Sequence, residues 1–599
     1  MEAKTAVRIP RTHRAGRRFA VIVAVAALAC SALPATAVAA GPPRLSAGSV
    51  PAREWLHHRE ASPSLLAFAR RIAAVRRTSG SAHVRALPAS GANLCVGNGA
   101  DCLRTIKAAL DAAHDGDTIH VGPGTFAGGF TIAKSVRLLG SGARSTVIRG
   151  GGTVVTIGTY GATVEPTVLI SGVTITGGIS RSSPLSVAWT GKEGVIALGG
   201  GVEIPSNADF SGGATVTIAD SVIRGNRVAP ANAVPSGGAA CPDGPCPLAL
   251  AAGGGIDNWG TLTLANTTVA DNKVGTASGL SALASDADAG GIVSWQGSLV
   301  LDESMVSGNQ ASATAPNGRF AEAGGVFALG GGLTMTHSAL IDNHASLEAS
   351  LPDSVDMAAI GGGMHIAGGV STATISGTTI SGNSISMTNT TGYSNAFSGG
   401  LHSDIETELR GDLIADNDVI STTLAGSTSF AVGDSGAGEI LSGALADTRF
   451  SGNSVTVRSS GVFAGAIAGA IVFRGALRNV VITDNNVVVS APNGGVFAAG
   501  GGLVEDWGGV NLTDSSVNRN SVEATGLAGS ALGGGIFDAA IENGPPGGPL
   551  SLTRVNVTRN VVSGSSGLTV QGGGIFTDNL VTLLNSVIAK NAPDQCVGC

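Results

Sequence analysis

An asparagine closes a recurring block eleven times in this chain, and no other feature narrows the possible folds as much. Asn226, Asn272, Asn309, Asn343, Asn383, Asn417, Asn453, Asn485, Asn520, Asn560 and Asn591 follow one another at intervals of 31 to 46 residues. Ahead of each stands a similar block, seen in GGGIDNWGTLTLANTTVADN at 253–272 and GGGIFTDNLVTLLNSVIAKN at 572–591. A glycine cluster, an apolar residue, a variable turn, alternating apolar positions and Ser, Thr or Asp lead to the asparagine. Self-similarity at such a period marks a solenoid or an array of stacked units.

The alternation inside the blocks selects β-structure. In Thr261-Leu262-Thr263-Leu264 the period of two sends leucines to one face and threonines to the other. The repeats contain no long helical stretch, which excludes an α-solenoid. Aromatics make up only 4% of the chain, too few for the bulky packing of propeller blades. The remaining solution is a right-handed parallel β-helix, in which each strand pairs with its equivalent one coil away. The asparagine is expected at a bend, in the left-handed region and bonded up and down the stack. About 14 coils at ~4.8 Å would give a rod of about 65 Å. Variable stretches such as 275–289 and 388–398 read as loops on its side.

The 91 glycines and 13% charged residues among 599 suit one repetitive domain better than several compact cores. Residues 1–40 read as a signal peptide: Arg8, Arg11, Arg14, Arg17 and Arg18 precede an apolar run from Phe19 to Leu33 and an Ala-rich cleavage region. Ala27-Leu28-Ala29-Cys30 resembles a degenerate lipobox. Residues 41–92 form a basic Arg/Ala-rich linker or pro-segment. A capping helix is expected at Cys102–His114, within an N-terminal cap spanning 93–117 and ahead of repeats over 118–599. Six cysteines fall in close pairs, Cys95 with Cys102, Cys241 with Cys246 and Cys596 with Cys599, which reads as disulfides outside the cytosol and a disulfide-closed C-terminus. No sorting motif or translocation barrel follows the last repeat, so the chain is expected to be secreted or loosely associated with the cell surface.

Net charge is −7, but residues 1–92 carry 14 basic and 3 acidic side chains while the rest carries 21 and 39. The acidic body excludes nucleic acid as an expected partner. Polyanionic glycans would need a bridging divalent cation.

DCLRTIKAALDAAHDGDTIHVGPGTF followed by TIAKSVRLLGSG resembles the start of many pectin-lyase-like β-helix proteins, and the later GGGI…N units resemble repeats of bacterial surface proteins of that superfamily. The resemblance covers about residues 93–599 and implies the fold. Its functions range over lyases, hydrolases and adhesins. Enzymes of this kind use clustered carboxylates as acid and base or as calcium ligands. Candidates just after glycine clusters are Asp257, Asp404, Glu406, Glu505, Asp506, Asp538 and Asp578. No arginine follows them at a fixed offset, and the Gly-His-Gly and paired-aspartate motifs of polygalacturonases are missing. The alternative for each is a solvated acid at a turn. His337, His344, His365 and His402 lie in neighbouring repeats without metal-ligand spacing or an obvious nucleophile, so each reads as a surface or coil-filling residue.

Trp259, Trp295 and Trp507 follow glycine clusters by four or five residues. Trp259 and Trp295 could form a stacking platform for sugars, with Asp257, Asn258 and Gln296 alongside. Alternatively they cover the helix beneath an inserted loop. Repeated Thr-x-Thr pairs (Thr174/Thr176, Thr215/Thr217, Thr261/Thr263, Thr334/Thr336, Thr372/Thr374) raise a third possibility, an ice-binding-like ladder broken at Ser298/Val300. The leading expectation is a non-catalytic glycan-binding or surface protein without an organic cofactor, calcium being the one candidate ion. A polysaccharide lyase or glycoside hydrolase with an atypical carboxylate site is the alternative.

Overall fold

The computed structural model describes residues 91–182, 195–207, 212–230, 248–275, 284–314, 318–349, 358–390, 392–424, 429–505, 508–539 and 548–599. The leader, nearly all of the 41–92 segment, Cys241, Cys246, Asp506 and Trp507 lie outside the described residues. Within them the chain winds as a parallel β-helix. Its three sheets hold 26, 20 and 14 strands, and the smallest takes one strand from each coil. Strand partners are one coil apart and parallel, as in Thr215–Ala219 with Thr261–Ala265. The chain therefore has a parallel β-helix architecture.

Alternation decides what fills the bore. Val216, Leu262, Leu299, Leu333 and Ala373 are register partners in successive coils and are almost wholly buried. Thr261 is exposed while Leu262 and Leu264 are buried, as the alternation requires. The second sheet lines its side with small residues, among them Ala251, Ala287, Ala321 and Ala359.

The asparagines form a continuous internal ladder. Asn417 Oδ1 accepts from the backbone N–H and the Nδ2 of Asn383, both at 3.0 Å. Asn417 Nδ2 donates to Ile380 O at 3.0 Å and to Asn453 Oδ1 at 2.9 Å. The same pattern runs from Asn226 to Asn591, so each buried amide is satisfied by its neighbours. One detail differs from expectation: the left-handed residue is the one before each asparagine. Asp271, Asp342, Asp416 and Asp484 have φ of 55°, 53°, 55° and 61°, which leaves the amide itself free to point inward. The glycine cluster exists to make room for that amide. A Cβ on Gly255 would come within 2.9 Å of Asn272 Nδ2 and 2.7 Å of the Gly291 carbonyl oxygen.

At the N-terminal end the ladder begins with Asn93–Val96, which pairs with Thr118–Val121. Between them lies helix α1 (Ile106–Ala112), with Ile106, Ala109 and Leu110 buried. It is shorter than the expected 102–114. Cys102 is bonded to Cys95, Leu103 bridges to Val96 in the sheet, and Thr105 caps the helix by accepting from Ala108 N at 3.1 Å. At its other end Lys134 Nζ donates to the Leu110 and Ala113 carbonyls at 3.0 and 2.5 Å, matching a cation to the helix C-terminus. Cys596 and Cys599 are disulfide-bonded, and Cys596–Val597 pairs with Ile575–Phe576.

Candidate functional site

The coils share a corner where a left-handed residue precedes Gly-Gly or Gly-Ala, as at Gly253, Ala289, Ala323, Gly361, Ser398 and Ser435. Side chains on the outer faces of the strands flanking this corner pack against one another outside the bore. In early coils this outer seam is largely apolar, with Leu198, Leu250, Trp259, Val293, Trp295 and Phe327 in one cluster beside the buried carboxyls of Glu203 and Asp257. In late coils it is apolar again, with Val472, Val504, Leu532 and Phe537. Between the two, the seam changes chemistry. Asp288 and Glu322 stack on one side of the corner, and His365, His402 and Glu439 on the other.

Asp404 completes the group through an irregularity. From Ser403 to Glu406 the strand Leu401–Arg410 carries one residue more than the neighbouring stretch Ile440–Ser442. Such a bulge re-aims a side chain, and here Asp404 reaches both imidazoles. Its Oδ2 lies 3.8 Å from His365 Nε2 and its Oδ1 3.4 Å from His402 Nε2. The opposite ring nitrogens face glutamates, His365 Nδ1 at 3.5 Å from Glu322 Oε2 and His402 Nδ1 at 3.5 Å from Glu439 Oε2. His402 Nδ1 also lies 3.1 Å from Ser398 Oγ. At 3.5 and 3.8 Å the contacts of His365 are ion pairs rather than hydrogen bonds, and both of its buried ring nitrogens lack a hydrogen-bond partner.

The electrostatics follow from burial among opposite charges. Burial alone pushes the His365 imidazole down, but Asp404 and Glu322 outweigh it and carry the group up to about 10. Burial likewise opposes ionisation of Asp404, yet the two imidazoles hold its carboxyl far below the usual range. Asp288 goes the other way: burial, then the charges of Glu322 and Asp286, push its carboxyl well above the ordinary value, against the pull of His365.

The remaining candidates are scattered. Asp257 is fully buried and its Oδ1 accepts the Trp295 indole N–H at 2.6 Å. Burial and the Glu203 charge push its carboxyl well above the ordinary range, with the indoles of Trp295 and Trp259 pulling the other way. Glu505 is buried and accepts from Gly509 N at 2.8 Å. Asp538 is buried and accepts from Thr577 and Asn579 at 2.8 and 2.9 Å. Glu406, Asp578 and Gln296 are exposed. Trp259 and Trp295 do stack, with centroids 5.6 Å apart, but they are only 3% and 5% exposed. They cover the β-helix wall and offer no open platform, because the corner folds their faces against the neighbouring strands. Their ring ladder continues through Phe327 and His365 to His402.

The threonine pairs do not form one face either. Thr215/Thr217 stack on Thr261/Thr263, but Val300 and Gly332 interrupt the columns and Glu408 follows Thr374. Thr174 and Thr176 belong to another sheet.

Comparison with known proteins adds little. No family model matches the chain, and no curated protein matches it. Among solved structures, a polygalacturonase from Erwinia carotovora ssp. carotovora aligns over 85% of this chain and 100% of its own, at 12% identity and a TM-score of 0.18. At that score the alignment carries no argument, and the fold stands on the strand pairings.

Proposed function

We propose that the protein is an extracellular, non-catalytic β-helix that binds polysaccharide along its outer wall. One observation carries this reading. Gln310, His344, Ser384, Asp418, Ser454, Asn486 and Ser521 are register partners in successive coils of the second sheet. All are half-buried, so they form an unbroken outward column of hydrogen-bonding side chains. Neighbours already bond along it, His344 Nδ1 to Ser384 Oγ at 2.9 Å and Ser454 to Asp418 at 2.7 Å. A repeating column of hydroxyl, amide and carboxylate groups suits a linear ligand that is itself a chain of hydroxyls. Export fits the leader-like N-terminus and the two disulfides, and no described helix is long and apolar enough to cross a membrane. The burial of Asp257, Glu505 and Asp538 as structural acceptors favours binding over turnover. The second reading, a lyase or hydrolase, draws on Asp404, whose side chain is 32% exposed beside two histidines.

Affinity electrophoresis over a panel of neutral and acidic polysaccharides tests the proposal, alongside assays for new reducing ends and unsaturated products. Retention that falls in an Asp418→Leu/Asn486→Leu variant, without product release, is expected. Product release abolished by Asp404→Asn would overturn it in favour of an enzyme.

A further inference from the structure

We propose that His365, His402 and Asp404 bind a divalent transition-metal ion of the zinc class, with Glu322 and Glu439 orienting the two imidazoles. The inference is independent of what the outer wall binds.

Orientation is the first reason. Both histidines turn Nε2 toward the one carboxylate between them, and each turns Nδ1 toward its own glutamate. Metal-binding histidines are arranged in this way, with the second nitrogen facing a carboxylate and the first turned to the metal. His402 Nδ1 has Ser398 Oγ as a further partner at 3.1 Å, and that hydroxyl also accepts from Glu439 N at 3.1 Å. Two nitrogens and a carboxylate oxygen lie within 4.8 Å of one another. Asp404 meets the imidazoles through different oxygens, and its Oδ1 lies 3.4 Å from His402 Nε2, close to the ~3.3–3.5 Å edge of a tetrahedron of ligands about 2.05 Å from zinc.

Placement is the second reason. The coils directly before and after place Val293, Phe327, Val472 and Val504 in the register column of the two histidines, although Glu203 and Asp257 hold it further back. Burying two imidazoles among carboxylates in the middle of it costs free energy that packing does not return. The ring nitrogens of His365 are buried, unbonded and aimed into the cluster. Side-chain exposure rises from 6% at His365 through 12% at His402 to 32% at Asp404, which gives an ion an entry on the Asp404 side. The donor set selects the metal: imidazole suits zinc, cobalt and nickel, whereas calcium takes oxygen ligands alone.

The test uses the full chain, stripped with chelator and reloaded with Co²⁺ or Zn²⁺, with bound metal measured by elemental analysis and cobalt by visible spectroscopy. One equivalent per chain and cobalt ligand-field bands of a low-symmetry site are expected. Both should disappear in His365→Phe and His402→Phe, which continue the ring ladder of Phe327 and keep the seam packed, and in Asp404→Asn at the more exposed position. Glu322→Gln should keep the stoichiometry and weaken affinity about 10–100-fold. Absence of stoichiometric cobalt in the parent chain overturns the site. So does binding that survives His402→Phe, or protection against heat by Ca²⁺ equal to that by Zn²⁺.

Discussion

Asp412 shows how strongly stacking dictates a single residue's chemistry. Ser221, Ser304, Ser338 and Ser515 occupy its corner in other coils and bond to backbone N–H groups. Asp412 does the same job, accepting from Thr378 N at 2.7 Å, but it brings a charge to a site only 3% exposed. Burial pushes its carboxyl up to about 7, against the pull of the Thr378 and Arg410 backbone. The unfolded group ionises near 3.8, so between these values the folded chain holds a proton that the unfolded chain has released. Its contribution to stability is therefore full below the unfolded value and lost as pH rises through about 7, opposite in sign to a salt-bridged carboxylate. Asp412→Ser keeps the acceptor without the charge. It should raise stability by about 1–3 kcal/mol above pH 7 and leave it nearly unchanged at pH 4. Denaturant melts at both pH values would check this, and an equal effect at both would show that the carboxyl does not titrate as argued.

At the scale of the strand and its corner, sequence reasoning succeeded where contact is local and failed where it spans a coil. Leu262 and Leu264 inside, with Thr261 outside, follow from alternation alone, and the Asn272–Asn309 stack follows from the period of the blocks. His365 and His402 each stand two residues after a glycine pair, in GGGMH and GGLH, yet sequence reasoning took both for surface or coil-filling residues. A separation of 37 residues hides them, because expected ligand spacings come from helices and hairpins, whereas in a solenoid the contact distance is one coil. Asp404 needed the bulge, which no pattern announces. Trp259 and Trp295 were paired correctly, but nothing in the sequence told that their outer face meets another outer face across the corner. That burial has a consequence at the same scale. Trp295→Phe removes the indole N–H from Asp257 Oδ1 and strands a buried acceptor, so it should cost about 1–3 kcal/mol. Asp257→Asn placed on top should recover part of that loss. The same two variants should leave polysaccharide retention unchanged, and a loss of retention at native stability would return these tryptophans to the ligand surface.

Across the whole molecule, a solenoid distributes stability between nearest neighbours, so its ends are its weak points. The N-terminal end is closed by one short helix: Ile106, Ala109 and Leu110 cover the bore, Thr105 and Lys134 satisfy the helix termini, and the Cys95–Cys102 bridge ties the entry. The middle coils are held instead by an asparagine ladder whose amides each bond up, down and to the backbone. The two regions should therefore open separately. Ile106→Asp places a charge on the covered end of the bore and should release α1 together with the strands Thr118–Val121 and Phe130–Ile132, while coils around Asn383 to Asn520 stay protected. Hydrogen exchange read by mass spectrometry on the full chain distinguishes this from all-or-none unfolding. Fast exchange confined to the first coils means that the cap guards only its neighbours. Uniform loss of protection through Asn520 would mean that the ladder couples the rod into one cooperative unit, with α1 as its nucleus rather than its lid.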